Sequence, residues 1–226
     1  VKLVQGKADL ITLRTGRPVV TTAVAARDRS KNRDADLAAY AWETGPGALA
    51  QRDDVDVFVE VMGGHEGPAR HATEAAIAAG KDVVSANKAL LAHHGHALAL
   101  AAEAAGRVIR FEAAVAGGIP VIKALTEGLA GNQIRRVMGV MNGSCNYILT
   151  RMQNEGLSYQ AVFDAAQQLG YLEADPNLDV GGIDAGHKLA LLAAIAFGTQ
   201  VSFDAVELEG IGKISIDDIN LAADMG

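Results

Sequence analysis

Through the first half of the chain, short β-branched runs take turns with alanine-rich stretches that stop at glycine, and few folds accept that alternation. Residues 18–26 carry Val19, Val20, Thr21, Thr22 and Val24, and residues 55–62 read VDVFVEVM. Both predict buried strands, because β-branched side chains suit a covered, pleated surface. Residues 68–79 predict a helix stopped by Gly80, residues 82–85 a third strand, residues 94–105 a helix stopped by Gly106, and residues 108–111 a fourth strand. Strands that alternate with helices are joined by right-handed crossovers, so the expected product is an α/β fold with a mainly parallel sheet.

After Phe111 the rhythm changes. A helix is predicted over 119–129, with Pro120 in its first turn and Gly131-Asn132 as its stop. Residues 133–141 alternate like a strand and run into Asn142-Gly143-Ser144, a turn able to cap the next helix through Ser144. Helices are predicted over 158–169 and 183–197, a short strand over 205–209, and a final helix over 215–225 with Asp217 and Asp218 at its positive end. No repeat or low-complexity linker interrupts this order.

A net charge of −7 with no Lys/Arg cluster argues against a nucleic-acid surface, which needs a basic stripe. The longest apolar run, 189–197, is too short for a bilayer core of about 30 Å. A single cysteine, Cys145, excludes an internal disulfide, and the first residues lack the pattern of a secretory signal. These features place the expected protein in the cytoplasm, with a small-molecule ligand and neither nucleic acid nor membrane as partner. A dinucleotide-binding domain opens with a strand, a G-x-G-x-x-G loop and a helix, and no such loop occurs in the 226 residues. Residues 1–13 have the helical spacing of the segment that follows such a loop, so the chain is expected to begin just past it.

Several clusters carry possible chemistry. Gly63-Gly64 follows a strand at the sheet edge where α/β folds bind ligands, although a plain tight turn fits the spacing equally. Ser85, Asn87 and Lys88 follow the next strand and bring a hydroxyl, an amide and an ammonium to that edge. Arg27, Arg29 and Lys31 follow the strand at 18–26, where basic groups suit a ribose 2′-phosphate, with Asp28 among them pulling the other way. The richest stretch lies between Gly170 and Lys188 and holds Glu173, Asp175, Asp179, Asp184, His187 and Lys188. Asp184 and Lys188 stand one helical turn apart and lead into an apolar helix, so both are expected to be shielded and paired. A shielded ammonium is costly without a use, which favours function over a surface salt bridge. His187 reads as structural, Cys145 as a packed side chain, and the histidines show no zinc spacing.

Taken together and in order, these pieces resemble the homoserine dehydrogenase family. The matching strings are EVMGGHEGPA from Glu60, GKDVVSANKALLAHHG from Gly80, RFEAAVAGGIPVIKALTEGLAGNQI from Arg110, GVMNGSCNYILTRM from Gly139, GYLEADPNLDVGGIDAGHKLALLAAIAFG from Gly170 and VELEGI from Val206. The resemblance implies an NAD(P)-dependent oxidoreductase that reduces L-aspartate 4-semialdehyde to L-homoserine, on the route to threonine, methionine and isoleucine. It implies Lys188 as the proton donor with Asp184 as its partner, and Glu173, Asp179 and Lys88 toward the substrate. Gly63, Gly64, Ser85, Asn87, Lys88 and Arg27 are implied to meet the cofactor, NADP or NAD. Glu112 with the backbones of Val115, Gly117 and Ile119 matches a monovalent-cation site for Na+, and the assembly implied is a homodimer or homotetramer.

The expected organisation is a Rossmann-type NAD(P)-binding domain over 1–110, lacking its first strand and glycine loop, and an α+β catalytic, substrate and dimerisation domain over 111–214. Residues 215–226 would start a segment that returns to the nucleotide domain. Without the loop the chain is expected to hold a dinucleotide poorly, since the pyrophosphate loses its helix N-terminus. Alternatives are another two-domain amino-acid dehydrogenase, or a cofactor-free regulatory or assembly module.

Overall fold

The computed structural model describes residues 1–226 and divides into two compact units, Val1–Leu90 with His96–Phe111, and Leu91–Gly95 with Glu112–Gly226. In the first unit the single helix expected over 1–13 is two short ones, α1 (Lys2–Gly6) and α2 (Ala8–Thr15). Lys7 parts them at φ −125° and ψ 23°, outside the helical region. The strand expected over 18–26 contracts to β1 (Ala23–Val24), which pairs in parallel with β2 (Ala41–Trp42). Only those two residues find a partner, and a strand extends no further than its ladder. Neither β2 nor α3 (Pro46–Ala50) was anticipated, although Pro46 stands in the first turn of α3 after an extended Gly45.

The larger sheet runs β3 (Val57–Glu60), β4 (Asp82–Ser85) and β5 (Ile109–Arg110), all parallel and in that spatial order, with α4 (Pro68–Ala78) as the first crossover. The alternation of β3 buries Phe58 and Glu60, and that of β4 buries Val83 and Ser85. Helix α4 packs on both strands and buries Ala69, Ala72, Thr73, Ala76 and Ile77, mostly small side chains that allow a close approach. It stops at Gly80, whose φ of +72° is open to glycine at little cost. Helix α5 (Lys88–Ala104) starts at Lys88 rather than residue 94, because the Asn87 side chain accepts the Leu90 N–H and caps it.

In the second unit, α6 (Glu112–Val115) is an unanticipated short helix. The α-helix expected over 119–129 resolves into α7 (Val121–Lys123) and a π-helical turn over Ala124–Gly128, with Pro120 at the cap position instead of the first turn. Residues 133–141 form no ladder, and Met138 and Val140 are exposed; an alternating pattern suggests a strand, but only a partner makes one. Helix α8 (Gly143–Glu155) is capped by Asn142, not Ser144, whose hydroxyl donates to the Tyr171 carbonyl at 2.6 Å. Helix α9 (Tyr159–Gln168) is capped by Ser158, and the two helices bury Ile148 and Met152 against Val162 and Ala166, each pair four residues apart on one face. Complete burial of each large aliphatic side chain contributes roughly 1.5–3 kcal/mol.

A short helix, α10 (Asn177–Val180), precedes α11 (Ile183–Phe197), which has the predicted bounds and stops at Gly198 with φ +65°. No ladder forms over 205–209; that segment is held by packing instead. A Cβ on Gly186 would lie 2.5 Å from Leu208 Cδ2, so the start of α11 and this segment meet at hydrogen-sized distance. Helix α12 (Ile216–Met225) closes the chain behind a capping box of Ser215 and Asp218. No helix is long and apolar enough to cross a membrane.

Candidate active site

The turn from α10 into α11 gathers the charged groups of the second unit. Asp179 lies in α10, Asp184 lies in the first turn of α11, and both residues are only 4% exposed. One turn later the Lys188 ammonium donates to Asp184 Oδ2 at 2.6 Å and to the Met141 carbonyl at 2.7 Å, with its side chain 20% exposed. An isolated buried carboxylate costs several kcal/mol, so the value of this arrangement is that both acids meet donors. Asp184 Oδ2 also accepts from Asn142 Nδ2 at 2.9 Å, and the same nitrogen donates to Asp179 Oδ1 at 2.8 Å. Asp179 Oδ2 accepts the Glu173 N–H at 2.9 Å. A continuous chain of hydrogen bonds therefore runs from the Glu173 backbone through Asp179, Asn142 and Asp184 to Lys188, while the Glu173 side chain itself is exposed.

Cys145 lies beside this chain, with its N–H bonded to Asn142 Oδ1 at 2.8 Å and its Sγ 3.3 Å from the Asp179 carbonyl. Burial, and then the charges of Asp179 and Asp184, push its thiol up to about 11, so it is not a thiolate nucleophile at neutral pH. His187 is buried with its ring 4.4 Å from Phe203 and 5.4 Å from His93, centroid to centroid, in an aromatic cluster.

In the first unit the sheet edge carries a second network. Glu60 is buried; its Oε2 accepts the Ser85 hydroxyl at 2.6 Å and its Oε1 accepts the Met62 N–H at 2.6 Å. Ser85 Oγ in turn accepts the Asn87 N–H at 3.0 Å, and Asn87 Nδ2 donates to the Gly64 carbonyl at 2.7 Å. The Ser85 hydroxyl and Asn87 carboxamide, read from sequence as groups displayed at the edge, are turned inward and shape the 61–64 loop. Gly64 has φ +86°, and a Cβ added to Gly63 would meet nothing within 4 Å, so the loop backbone stays open to an approaching group. Lys88 is half-buried at the start of α5. Arg27 is exposed beyond β1; close by, Asp28 is held below the usual carboxylate range by the Ser30 hydroxyl, and the Arg29 and Arg33 guanidiniums lie 5.3 and 5.8 Å from the Trp42 ring centroid.

Among the residues expected to hold a cation, Glu112 has a structural task of its own. The Glu112 carboxylate accepts the Ile122 and Lys123 N–H groups at 2.7 and 3.0 Å and so caps α7. The Ile119 carbonyl accepts the Val121 N–H, and Val115 is buried while Gly117 is exposed. No group of three or more His, Cys, Asp or Glu side chains is placed to hold a metal.

Two family models account for the chain almost end to end: "Homoserine dehydrogenase, NAD binding domain" over residues 2–112 and "Homoserine dehydrogenase" over residues 120–226. The chain belongs to the homoserine dehydrogenase family. The homoserine dehydrogenase of Corynebacterium glutamicum is 47% identical over 225 residues, which cover all of this chain and 50% of that protein. The structure of a homoserine dehydrogenase from Thiobacillus denitrificans superposes with a TM-score of 0.94 at 43% identity, over 100% of this chain and 52% of that one. A hyperthermophilic archaeal homoserine dehydrogenase in complex with NADPH matches with a TM-score of 0.70 at 28% identity, over 92% and 59%. The chain thus spans about half the length of the curated relatives it matches.

Within this homoserine dehydrogenase framework, sequence reasoning missed two site residues. Glu60 left a signal, since an acid two positions from Phe58 in an alternating run falls on the buried face. Asn142 looked like a turn residue, and nothing local announces that it reaches acids 37 and 42 positions away.

Proposed function

We propose that the protein reduces L-aspartate 4-semialdehyde to L-homoserine with NADH or NADPH. One observation carries this reading: Lys188 is held by Asp184 and the Met141 carbonyl. An ammonium has three donors. These two acceptors fix two of them, which leaves one N–H for the substrate oxygen.

The glycine loop at the β3 edge suits a dinucleotide, as its backbone is unobstructed and the N-terminus of α4 carries no side-chain cap. When bound, the reduced nicotinamide supplies a hydride. Lys188 polarises the aldehyde oxygen and transfers a proton to it as the C–H bond forms, then recovers a proton from solvent. Asp184 keeps the ammonium charged and aimed before transfer. Two buried carboxylates against one ammonium leave the cluster with an excess negative charge, which favours the substrate's own ammonium near Asp179 and the exposed Glu173. Lys88, at the start of α5, serves the cofactor and substrate side of the first unit, and Arg27 serves a 2′-phosphate.

For Na+, the backbone carbonyls of Val115 and Gly117, with the second lone pair of the Ile119 carbonyl, would supply the oxygen ligands, and no step of the reduction is routed through such an ion. A cytoplasmic homodimer or homotetramer completes the reading. Replacing Lys188 with Ala in the full-length enzyme should lower kcat by about 10²–10⁴-fold, the range general acid catalysis covers, while circular dichroism stays unchanged. Turnover within a few-fold of the parent would remove Lys188 from the chemistry.

A further inference from the structure

The carboxamide of Asn142 uses both its donors and accepts one hydrogen bond inside the site. Its Oδ1 takes the Cys145 N–H at 2.8 Å, and its Nδ2 divides two protons between Asp179 at 2.8 Å and Asp184 at 2.9 Å. The orientation is forced, because a flipped amide would point oxygen at two carboxylates and nitrogen at an N–H. Asn142 is 8% exposed and both acids 4%, so water is a poor substitute donor. The Asp184 oxygen it holds, Oδ2, is the one that pairs with Lys188, and the neighbouring Met141 carbonyl takes another proton of that ammonium. One dipeptide therefore grips the ammonium with its backbone and the counter-ion with its side chain.

We propose that Asn142 is a positioning residue of the reduction: a neutral double donor that keeps two buried carboxylates apart and aims Asp184 at Lys188. A cation at this place would compete with Lys188 for Asp184, and an acid would add a third anion. The neutrality of the amide is thus as important as its two protons. The inference rests on Lys188 being the proton donor.

Capping and clamping separate on two variants of the full-length protein. Asn142→Asp keeps the cap oxygen, since Asp caps helices as well as Asn, but loses both donors and faces Asp179 and Asp184 with charge. Asn142→Ala loses the cap and the donors without adding charge. The clamp predicts kcat falling by about 10-fold or more for Asn142→Ala and further for Asn142→Asp, with KM for the semialdehyde moving less than kcat. A cap alone predicts the opposite order.

The groups around the introduced carboxyl are Asp179 on α10, Asp184 and Lys188 on α11, and Cys145 on α8. A proton on that carboxyl restores one donor, so the Asn142→Asp activity relative to the parent should climb as pH falls from about 8 to about 6. If Asn142→Asp does not fold, Asn142→Ala decides. An Asn142→Ala kcat within about twofold of the parent, or Asn142→Asp outperforming Asn142→Ala, overturns the proposal. Hydrogen exchange of the Asn142 side-chain amide gives a reading without turnover: protection supports the clamp and free exchange refutes it. Normal turnover of Lys188→Ala would sink the functional reading and the positioning role with it, whereas normal turnover of Asn142→Ala beside an inactive Lys188→Ala would sink the positioning role alone.

Discussion

Asn87 and Asn142 perform the same local task in opposite surroundings. Each caps a helix with its side-chain oxygen and spends its nitrogen on a distant segment. Asn87 reaches a neutral glycine carbonyl, and the buried acid in its network, Glu60, is satisfied by a hydroxyl and a backbone N–H. Asn142 reaches two acids, one of which is also bonded to an ammonium. Neutral donors around a buried carboxylate fix a loop and do nothing more. An ammonium with an unspent proton adds chemistry, and the second network differs from the first by that lysine and by a second buried acid.

That contrast can be broken at several strengths. Beyond Lys188→Ala, the largest effect is expected for Asp184→Asn, which leaves the ammonium without its counter-ion and should cost about 10²-fold in kcat with the fold intact. An unchanged kcat would make the charged pair structural, like the Glu60 network of the first unit. Glu60→Ala should act differently, stranding the Ser85 hydroxyl and the Met62 N–H at a loss of about 1–3 kcal/mol in urea unfolding. Because it loosens the glycine loop, it should raise KM for the cofactor more than it lowers kcat; the reverse split would mean that the first network also serves the proton step.

The smallest effect concerns Cys145, whose thiol is pushed up to about 11 by burial and the two nearby acids. A raised thiol contributes stability fully below the unfolded value of about 8.5, and that contribution is lost as pH climbs toward about 11. The urea midpoint of the parent should therefore fall between those limits more steeply than that of Cys145→Ala. Alkylation at about pH 8 should be slow compared with a free thiol. Fast modification would show that the two acids are less shielded than their packing indicates.

Local features were legible without coordinates where their cause was local. The bounds of β4 and α11, and the glycine stops at Gly80 and Gly106, follow from side-chain period and from φ values that favour glycine. The pairing of Asp184 with Lys188 was legible for the same reason, since four residues make one helical turn. The early start of α5 was missed although Asn87 is a good cap, because the alanine-rich run beyond it masked the boundary. Residues 133–141 have a strand's alternation and lack a ladder, whereas β2 has too few residues to show a pattern and gains its pairing from β1.

The amino-acid order alone determined the alternation of elements, the family motifs and the acid–lysine spacing, all of which act within one or two turns of backbone. Tertiary structure decided which buried acids share donors: Glu60 with Ser85 across two strands, and Asp179 with Asp184 through Asn142. The reason is physical. A buried carboxylate must find donors wherever the fold brings them, and beside their local donors these acids draw on Ser85 and Asn142 from 25 to 42 residues away, beyond the reach of any local pattern.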